Sequence, residues 1–238
     1  MSGRSFLTAK WLNVAAVTFA VEERRLLPYL PAGASIDTLD GSPRLSLVAF
    51  EFSQTRVGGL AIPMHTRFPE INLRFYVRYG GERGVVFIRE LVPRRAIATI
   101  ARLVYNEPYQ RVPMTCGAEP LPGSDGIRVW HRFGRGSSLS MEGSGAATVP
   151  AVGSAAHWLT DHSLGLGKRR DGRTVLYNVT HPTWSLREVT AVALDVDFGA
   201  LYGPDWTWLQ DATPSHLSLA TGSPVRVWSP IDVSRVDL

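Results

Sequence analysis

Lysine is almost missing from this chain. Lys10 and Lys168 are the only two in 238 residues, and the other basic side chains are arginine. Chemistry that needs an amine nucleophile therefore has two candidates. Cysteine is scarcer still: Cys116 stands alone, which excludes an intramolecular disulfide and fits a reducing, cytoplasmic compartment. Its setting, VPMTCGAE, supplies no cation to activate a thiolate and reads as a buried strand end. CxxC and HExxH patterns are lacking, and His157 and His162 in HWLTDH are not at the i, i+4 spacing of a helical metal pair, so no metal is expected. GxGxxG, Walker and GxSxG patterns are missing as well, which leaves no support for a nucleotide cofactor or a serine-hydrolase elbow; no cofactor is expected. No apolar run reaches the length of a membrane span. The stretch WLNVAAVTFAV is interrupted by Asn13 and Thr18 and followed by Glu22 and Glu23 without a small-residue cleavage site, so it reads as a mature strand and not as a leader.

A formal charge of +4 and a pI near 9.5 invite a nucleic-acid reading. The 25 basic residues are spread along the chain, however, and the longest basic run is Lys168, Arg169, Arg170. Neither nucleic acid nor a membrane is expected as a partner. Hydrophobic residues make up 45% of the chain, enough to close a core, and no repeat or linker divides it, so residues 1–238 read as a single domain.

Strand patterns dominate. They fall at about 10–21, in PRLSLVAFEFS, at 68–79, in VVFIRELV after a GGERG turn, and at 109–116, 126–133, 173–181, 186–195, 215–220 and 224–229. EERRLLPYLP suits a short helix, and 154–160 a second. In RRAIATIARLV, Ile97, Ile100, Ala101 and Val104 share a helical face, which predicts a helix over 94–104. The Gly- and Ser-rich stretch 134–147 reads as a mobile loop or a hairpin tip. Many strands and few helices predict a mainly β (α+β) fold, an antiparallel barrel or curved sheet with two or three helices outside.

One strand raises the functional question. In RFPEINLRFYVR, Ile71, Leu73, Phe75 and Val77 alternate with Glu70, Asn72, Arg74, Tyr76 and Arg78. The polar face looks either at bulk water or into an enclosed cavity. In a cavity, a carboxylate and a guanidinium persist only when paired or hydrogen-bonded, because each loses several kcal/mol of solvation. Arg78, nearer the turn, reads as solvated.

FLTAKW, LPYLPAGASIDTLDG, FPEINLRFYVR, GVVFIRELVPRRAIATIARLVYNEPYQRVPM, HWLTDHS, LYNVTHPTWSL and HLSLATG occur in this order across nearly the whole chain. In this, the sequence resembles the YqjF-like family of domain-of-unknown-function proteins. More distantly it is similar to the acetoacetate decarboxylase superfamily, and that resemblance implies an antiparallel β-barrel or cone enclosing a pocket. It also implies a pocket glutamate on a strand, matched by Glu70. The decarboxylases carry a Gly-Arg-Glu segment, an aromatic residue and a Pro-Lys-Lys sequence whose first lysine forms a Schiff base. In ARLVYNEPYQ, Arg102 and Pro108 match the arginine and proline, while Tyr109 and Gln110 stand in place of the lysines. A phenol and an amide cannot form an imine, so Schiff-base decarboxylation is not expected. Lys10 would serve only if its strand turned it inward; Lys168, in GKRRDGR, reads as exposed.

The candidate site follows from the resemblance. Glu70 would act as acid or base and Tyr109 as a proton donor, with Asn72, Arg74, Arg102, His181 and Trp184 binding ligand. Arg102 faces inward only if its helix has ended by Ala101. The expected partner is a small organic anion, and a homo-oligomer is compatible with the sequence. Two readings stay open: a cofactor-free, lyase-like or hydrolase-like enzyme for a small oxo acid, and a non-catalytic protein that binds or senses a small metabolite. For Glu70 and Arg74 a purely structural ion pair stands beside both.

Overall fold

The computed structural model describes residues 5–63, 65–93, 108–169 and 171–233. The helix predicted over 94–104, and Arg102 with it, lie outside the described residues.

In chain order the elements are β1 (Leu7–Ala20), α1 (Glu23–Leu26) with a 3-10 turn (Leu27–Tyr29), β2 (Ser35–Ile36), β3 (Thr38–Leu39), β4 (Ser42–Val57), β5 (Phe68–Tyr79) and β6 (Glu82–Val92). Then follow β7 (Tyr109–Arg111), β8 (Met114–Pro120), β9 (Ile127–Phe133), β10 (Ser137–Thr148), α2 (Ala155–Thr160), β11 (Leu164–Lys168) and β12 (Thr174–Thr180). The last are β13 (Leu186–Asp195), α3 (Phe198–Tyr202), a 3-10 helix (Pro204–Gln210), β14 (His216–Val227) and β15 (Ile231–Val233).

The ladder runs β12-β11-β6-β5-β4-β1-β14, and β12 pairs again with β14 through Val179↔Val227 and Thr180↔Arg226. That pairing closes the strands into a cone-like ring and removes two sheet edges. From β14 the sheet continues through β13, β10, β9 and β8. The closed sheet is mixed and not purely antiparallel, because β6 pairs in parallel with both β7 and β11.

The two sheet faces bury different things. Ala15, Val17, Phe19, Leu45, Leu47, Ile71, Leu73 and Phe75 meet Val129, Phe133, Leu139 and Met141 of the continuing sheet in the main core. Phe198, Leu201, Trp206 and Leu209 cover that core. Inside the ring a second cluster gathers Val14, Val48, Phe50, Phe52, Phe68, Trp184 and Val225.

Several local readings change. Pro113 lacks the N–H a ladder needs, and the predicted strand 109–116 is broken there into β7 and β8. The Gly- and Ser-rich stretch turns only at 134–136, where Gly134 (φ 63°) and Gly136 (φ 96°) take left-handed backbone. The remainder is β10, in which Leu139 and Met141 alternate with serines; small-residue composition hid that period. The segments 215–220 and 224–229 belong to one strand, β14. The Phe198–Gln210 helical segment went unpredicted, although Asp197 accepts a hydrogen bond from the Ala200 N–H at 2.8 Å as its N-cap. Gly199, Gly203 and Pro204 obscured the pattern.

Bulges re-aim the ring strands. Asn13 (φ 53°) lies at a register shift in β1, so Trp11 and Val14 both face the interior. Gln54 (φ 54°) does the same in β4, where Phe52 and then Thr55 face inward. Gln54 is exposed, so its cost is backbone strain alone. Gln54→Gly is expected to hold or raise the urea midpoint, whereas Gln54→Val should lower stability by about 2 kcal/mol, since a β-branched residue resists left-handed backbone. Equal stability of the two variants would remove the strain assignment.

Candidate functional site

The polar stripe of β5 faces inward. Ile71, Leu73, Phe75 and Val77 fill the main core, and the opposite face, with Glu70 at 3% exposure, Asn72 at 2% and Arg74 at 5%, is turned to a chamber inside the ring. The chamber has a volume of about 170 Å³. It is lined also by Trp11, Phe50, Phe52, Phe68, Phe87 and Trp184.

Strand pairing assembles its acidic part. Asn72 lies opposite Glu90 on β6, and Glu90 lies beside Tyr109 on β7, so three strands place these side chains in one row. The Tyr109 hydroxyl donates to Glu70 Oε2 at 3.2 Å. Glu70 is also hydrogen-bonded by Asn72 and by Glu90. Burial pushes the Glu70 carboxyl up to about 7, against the opposing pull of its hydrogen bonds and of the Arg74 charge. Burial, and then the charges of Glu70 and Glu90, hold the Tyr109 phenol well above its usual value. Tyr109 is therefore a hydrogen-bond donor at neutral pH and not a base.

Arg74 sits one step further along the strand, opposite Ser46. Ser46 bonds Thr18 at 2.7 Å and the Tyr76 hydroxyl at 2.8 Å, which fixes that wall. The guanidinium lies 6.0 Å from the Tyr76 ring centroid, at cation–π range. Its Nε is buried without a hydrogen-bond partner, and among the described residues no ion pair joins it to Glu70. Arg78, expected to be solvated, is half-exposed and bonds Asp37 at 3.0 Å.

Two histidines complete this end. His162 follows α2, whose start is capped by Ser154 accepting from the His157 N–H at 3.2 Å. The His162 Nδ1 is buried without a partner, and burial, followed by the Arg74 charge, holds its pKa well below the usual value. His181 stacks on Trp184 with centroids 4.8 Å apart and lies 6.3 Å from His162. Its Nδ1 is 2.9 Å from the Pro182 carbonyl; a carbonyl only accepts, so Nδ1 carries the proton and Nε2 is bare. Trp184 is held by its indole N–H donating to Ser223 Oγ at 2.9 Å.

Glu70, Asn72, Arg74, Tyr109, His181 and Trp184 thus line one chamber; Arg102 lies outside the described residues. Sequence reading missed Glu90, His162 and Trp11. Alternation counted from Val85 and Phe87 points to Arg89, but a register shift opposite Leu73 and Arg74 inserts a residue and brings Glu90 inward. Arg89 instead donates from Nη1 to the Leu201 carbonyl. Neither lysine reaches the site: Lys10 and Lys168 are exposed and absent from the lining.

One glycine is required by packing. A Cβ on Gly165 would stand 2.1 Å from Cζ of Tyr177, its cross-strand partner. Gly165→Ala is expected to force the Tyr177 ring out of place, lowering stability by roughly 1–3 kcal/mol. A melting curve that matches the wild type would contradict this.

The architecture has close counterparts. An enduracididine biosynthesis enzyme, MppR, solved with pyruvate superposes with a TM-score of 0.64 at 13% identity, over 98% of this chain and 92% of that one. An acetoacetate decarboxylase-like enzyme from Sphingomonas wittichii RW1 gives 0.60 at 16%, over 98% and 95%. Acetoacetate decarboxylase from Legionella pneumophila subsp. pneumophila str. Philadelphia 1 gives 0.61 at 12%, over 98% and 92%. The fold is thus acetoacetate decarboxylase-like. The chain belongs to the DUF2071 family, described as an uncharacterized conserved protein, whose pattern it matches over residues 8–224. It is 31% identical over 100 residues to the uncharacterized protein YqjF of Bacillus subtilis (strain 168), a match spanning 42% of this chain and 41% of that one. No helix of the described residues is long and apolar enough to cross a membrane.

Proposed function

We propose that this protein is a cofactor-free acid–base enzyme acting on a small organic anion, with 2-oxo acids as the substrate class and no Schiff base in the mechanism. The observation that carries this reading is the geometry of one chamber, in which the buried Glu70 carboxyl, bonded by the Tyr109 hydroxyl at 3.2 Å, shares the space with Arg74, whose Nε has no partner; burial pushes that carboxyl up to about 7. The pyruvate complex of MppR, a protein of the same fold, supports the choice of acid.

Arg74 offers a substrate carboxylate charge-assisted hydrogen bonds. With the carboxylate so held, Glu70 takes a proton from the carbon next to the carbonyl, the C–H electron pair moves into the carbon–carbon bond, and charge develops on the carbonyl oxygen. Tyr109, kept protonated, donates a hydrogen bond to that oxygen. Return of the proton from Glu70 completes the exchange.

In deuterium oxide, the wild type should wash deuterium into the carbon beside the carbonyl of a bound 2-oxo acid, read by proton NMR. Glu70→Gln should keep binding, seen as a thermal shift, and lose exchange by at least about 100-fold. Binding without exchange or turnover in the wild type would favour the alternative, a non-catalytic protein that binds or senses a small metabolite; the absence of lysine from the chamber supports that alternative. Failure of every acid to bind would remove both.

A further inference from the structure

Building on the acid-binding reading above, we infer that the chamber takes its ligand head-first and selects carboxylic acids with an apolar chain or aryl group over short ones. The register across β4 and β5 grades the wall in one direction. Arg74 faces Ser46, Asn72 faces Val48, Glu70 faces Phe50, and Phe68 faces Phe52. Each two-residue step is about 6.8 Å of strand, so the wall passes from cation to carboxyl to aromatic over three steps. Among the described residues of this wall, the cation that meets an anion is Arg74, at the first position. The last position pairs two aromatic rings, a surface that an apolar tail covers and that water leaves unsatisfied.

The cationic end is built for an anion. The Arg74 Nε and the His162 Nδ1 are both buried without partners, and His181 stands beside them. Around them stand Tyr76, bonded to Ser46, Glu70, engaged with Asn72, Glu90 and Tyr109, and the charges of Arg83 near His162 and of Asp161 near His181. A carboxylate there would take up the unused N–H of Arg74, which offsets part of the guanidinium's lost hydration.

The aromatic end is equally specific. The Phe52 and Phe68 rings stack at 4.8 Å, and Trp11 lies 5.3 Å from Phe50 and 5.7 Å from Trp184. Ile62 and His65, from the β4–β5 connection, line the same chamber. Its volume of about 170 Å³ is several times that of a single water, whose share of the liquid is about 30 Å³. A ligand whose carboxylate sits at Arg74 runs its tail past Glu70 toward these rings.

The test is calorimetric titration of the wild-type protein with pyruvate, 2-oxobutanoate, 2-oxohexanoate, 2-oxooctanoate and phenylpyruvate, with 2-octanone as a neutral control. Affinity should rise about fourfold per added methylene until the chain fills the gallery. Phenylpyruvate should bind more tightly than pyruvate, and 2-octanone at least tenfold more weakly than 2-oxooctanoate. Short acids that bind while affinity stays flat or falls with length would overturn the chain selectivity yet leave the acid-binding reading in place. Equal binding of 2-octanone and 2-oxooctanoate would overturn the head-first orientation. If no acid bound at all, the functional reading would fail and this inference with it.

Discussion

Glu70→Gln should raise the unfolding temperature at pH 8 by roughly 6–12 °C, and this gain over the wild type should shrink toward zero as the pH falls to 4.5. Unfolded, this carboxyl titrates near 4.5; folded, it titrates at about 7. Below pH 4.5 both states carry the proton, and its burial costs nothing. Between 4.5 and about 7 the unfolded chain releases this proton while the folded chain keeps it, so the contribution of Glu70 to folding stability falls as pH rises, by about 1.4 kcal/mol per unit. Above pH 7 the full penalty, roughly 3 kcal/mol, is in force, and for a chain of this size that corresponds to the stated temperature change. Glutamine mimics the protonated carboxyl: it keeps a donor toward Glu90 and an acceptor for Tyr109, and has no charge to desolvate. The pH-dependent term therefore disappears in the variant. Because His131, His162 and His181, whose pKa values burial lowers, contribute with the opposite sign, the readout is the difference between variant and wild type; a difference that stays level across this range, or a variant less stable than wild type at pH 8, would show that Glu70 is not a proton-holding buried carboxyl.

Arg74→Gln should weaken binding of any carboxylate by at least about 100-fold while leaving the melting temperature of the empty protein unchanged or higher. The binding loss follows from the number and charge of the hydrogen bonds: each bond to a charged group contributes about 1.5–3 kcal/mol, and a guanidinium can make two to one carboxylate. The stability gain follows from desolvation. Arg74 is held at 5% exposure with its Nε unpartnered and no ion pair among the described residues, so the folded state bears a cost that a neutral amide relieves. Titration calorimetry and a thermal melt of the same preparation read both effects. A variant that melts well below the wild type would mean that Arg74 braces the wall instead of waiting for a ligand.

Opposite signs for binding and stability are the expected mark of a functional site. Both predictions have Glu70 and Arg74 costing the empty fold stability, on a strand held in the middle of the sheet, between β4 and β6. A structural ion pair between them, one of the readings open to the sequence, would have made both stabilising.

The sequence by itself determined a good deal. The two-residue period of 68–78 fixed Ile71, Leu73, Phe75 and Val77 to one face and Glu70, Asn72 and Arg74 to the other, because side chains alternate along any extended strand. The scarcity of lysine left Lys10 and Lys168 as the two amine candidates, and the family resemblance put Tyr109 and Gln110 where a lysine pair would stand; only the fold placed both lysines outside, exposed and absent from the chamber lining. What alternation alone could not say was which face saw water. That depended on closure of the ring through β12 and β14, a pairing between segments nearly fifty residues apart. Nor could the period survive the bulges at Asn13, at Gln54 and opposite Leu73 and Arg74, each of which adds one residue and reverses the faces beyond it. Glu90 entered the site, and Arg89 left it, by that single-residue shift. His162 and His181 meet only because β11 and β12 pair after α2. Local pattern specifies which residues share a face of one strand; only the long-range hydrogen-bond ladder decides what that face encloses.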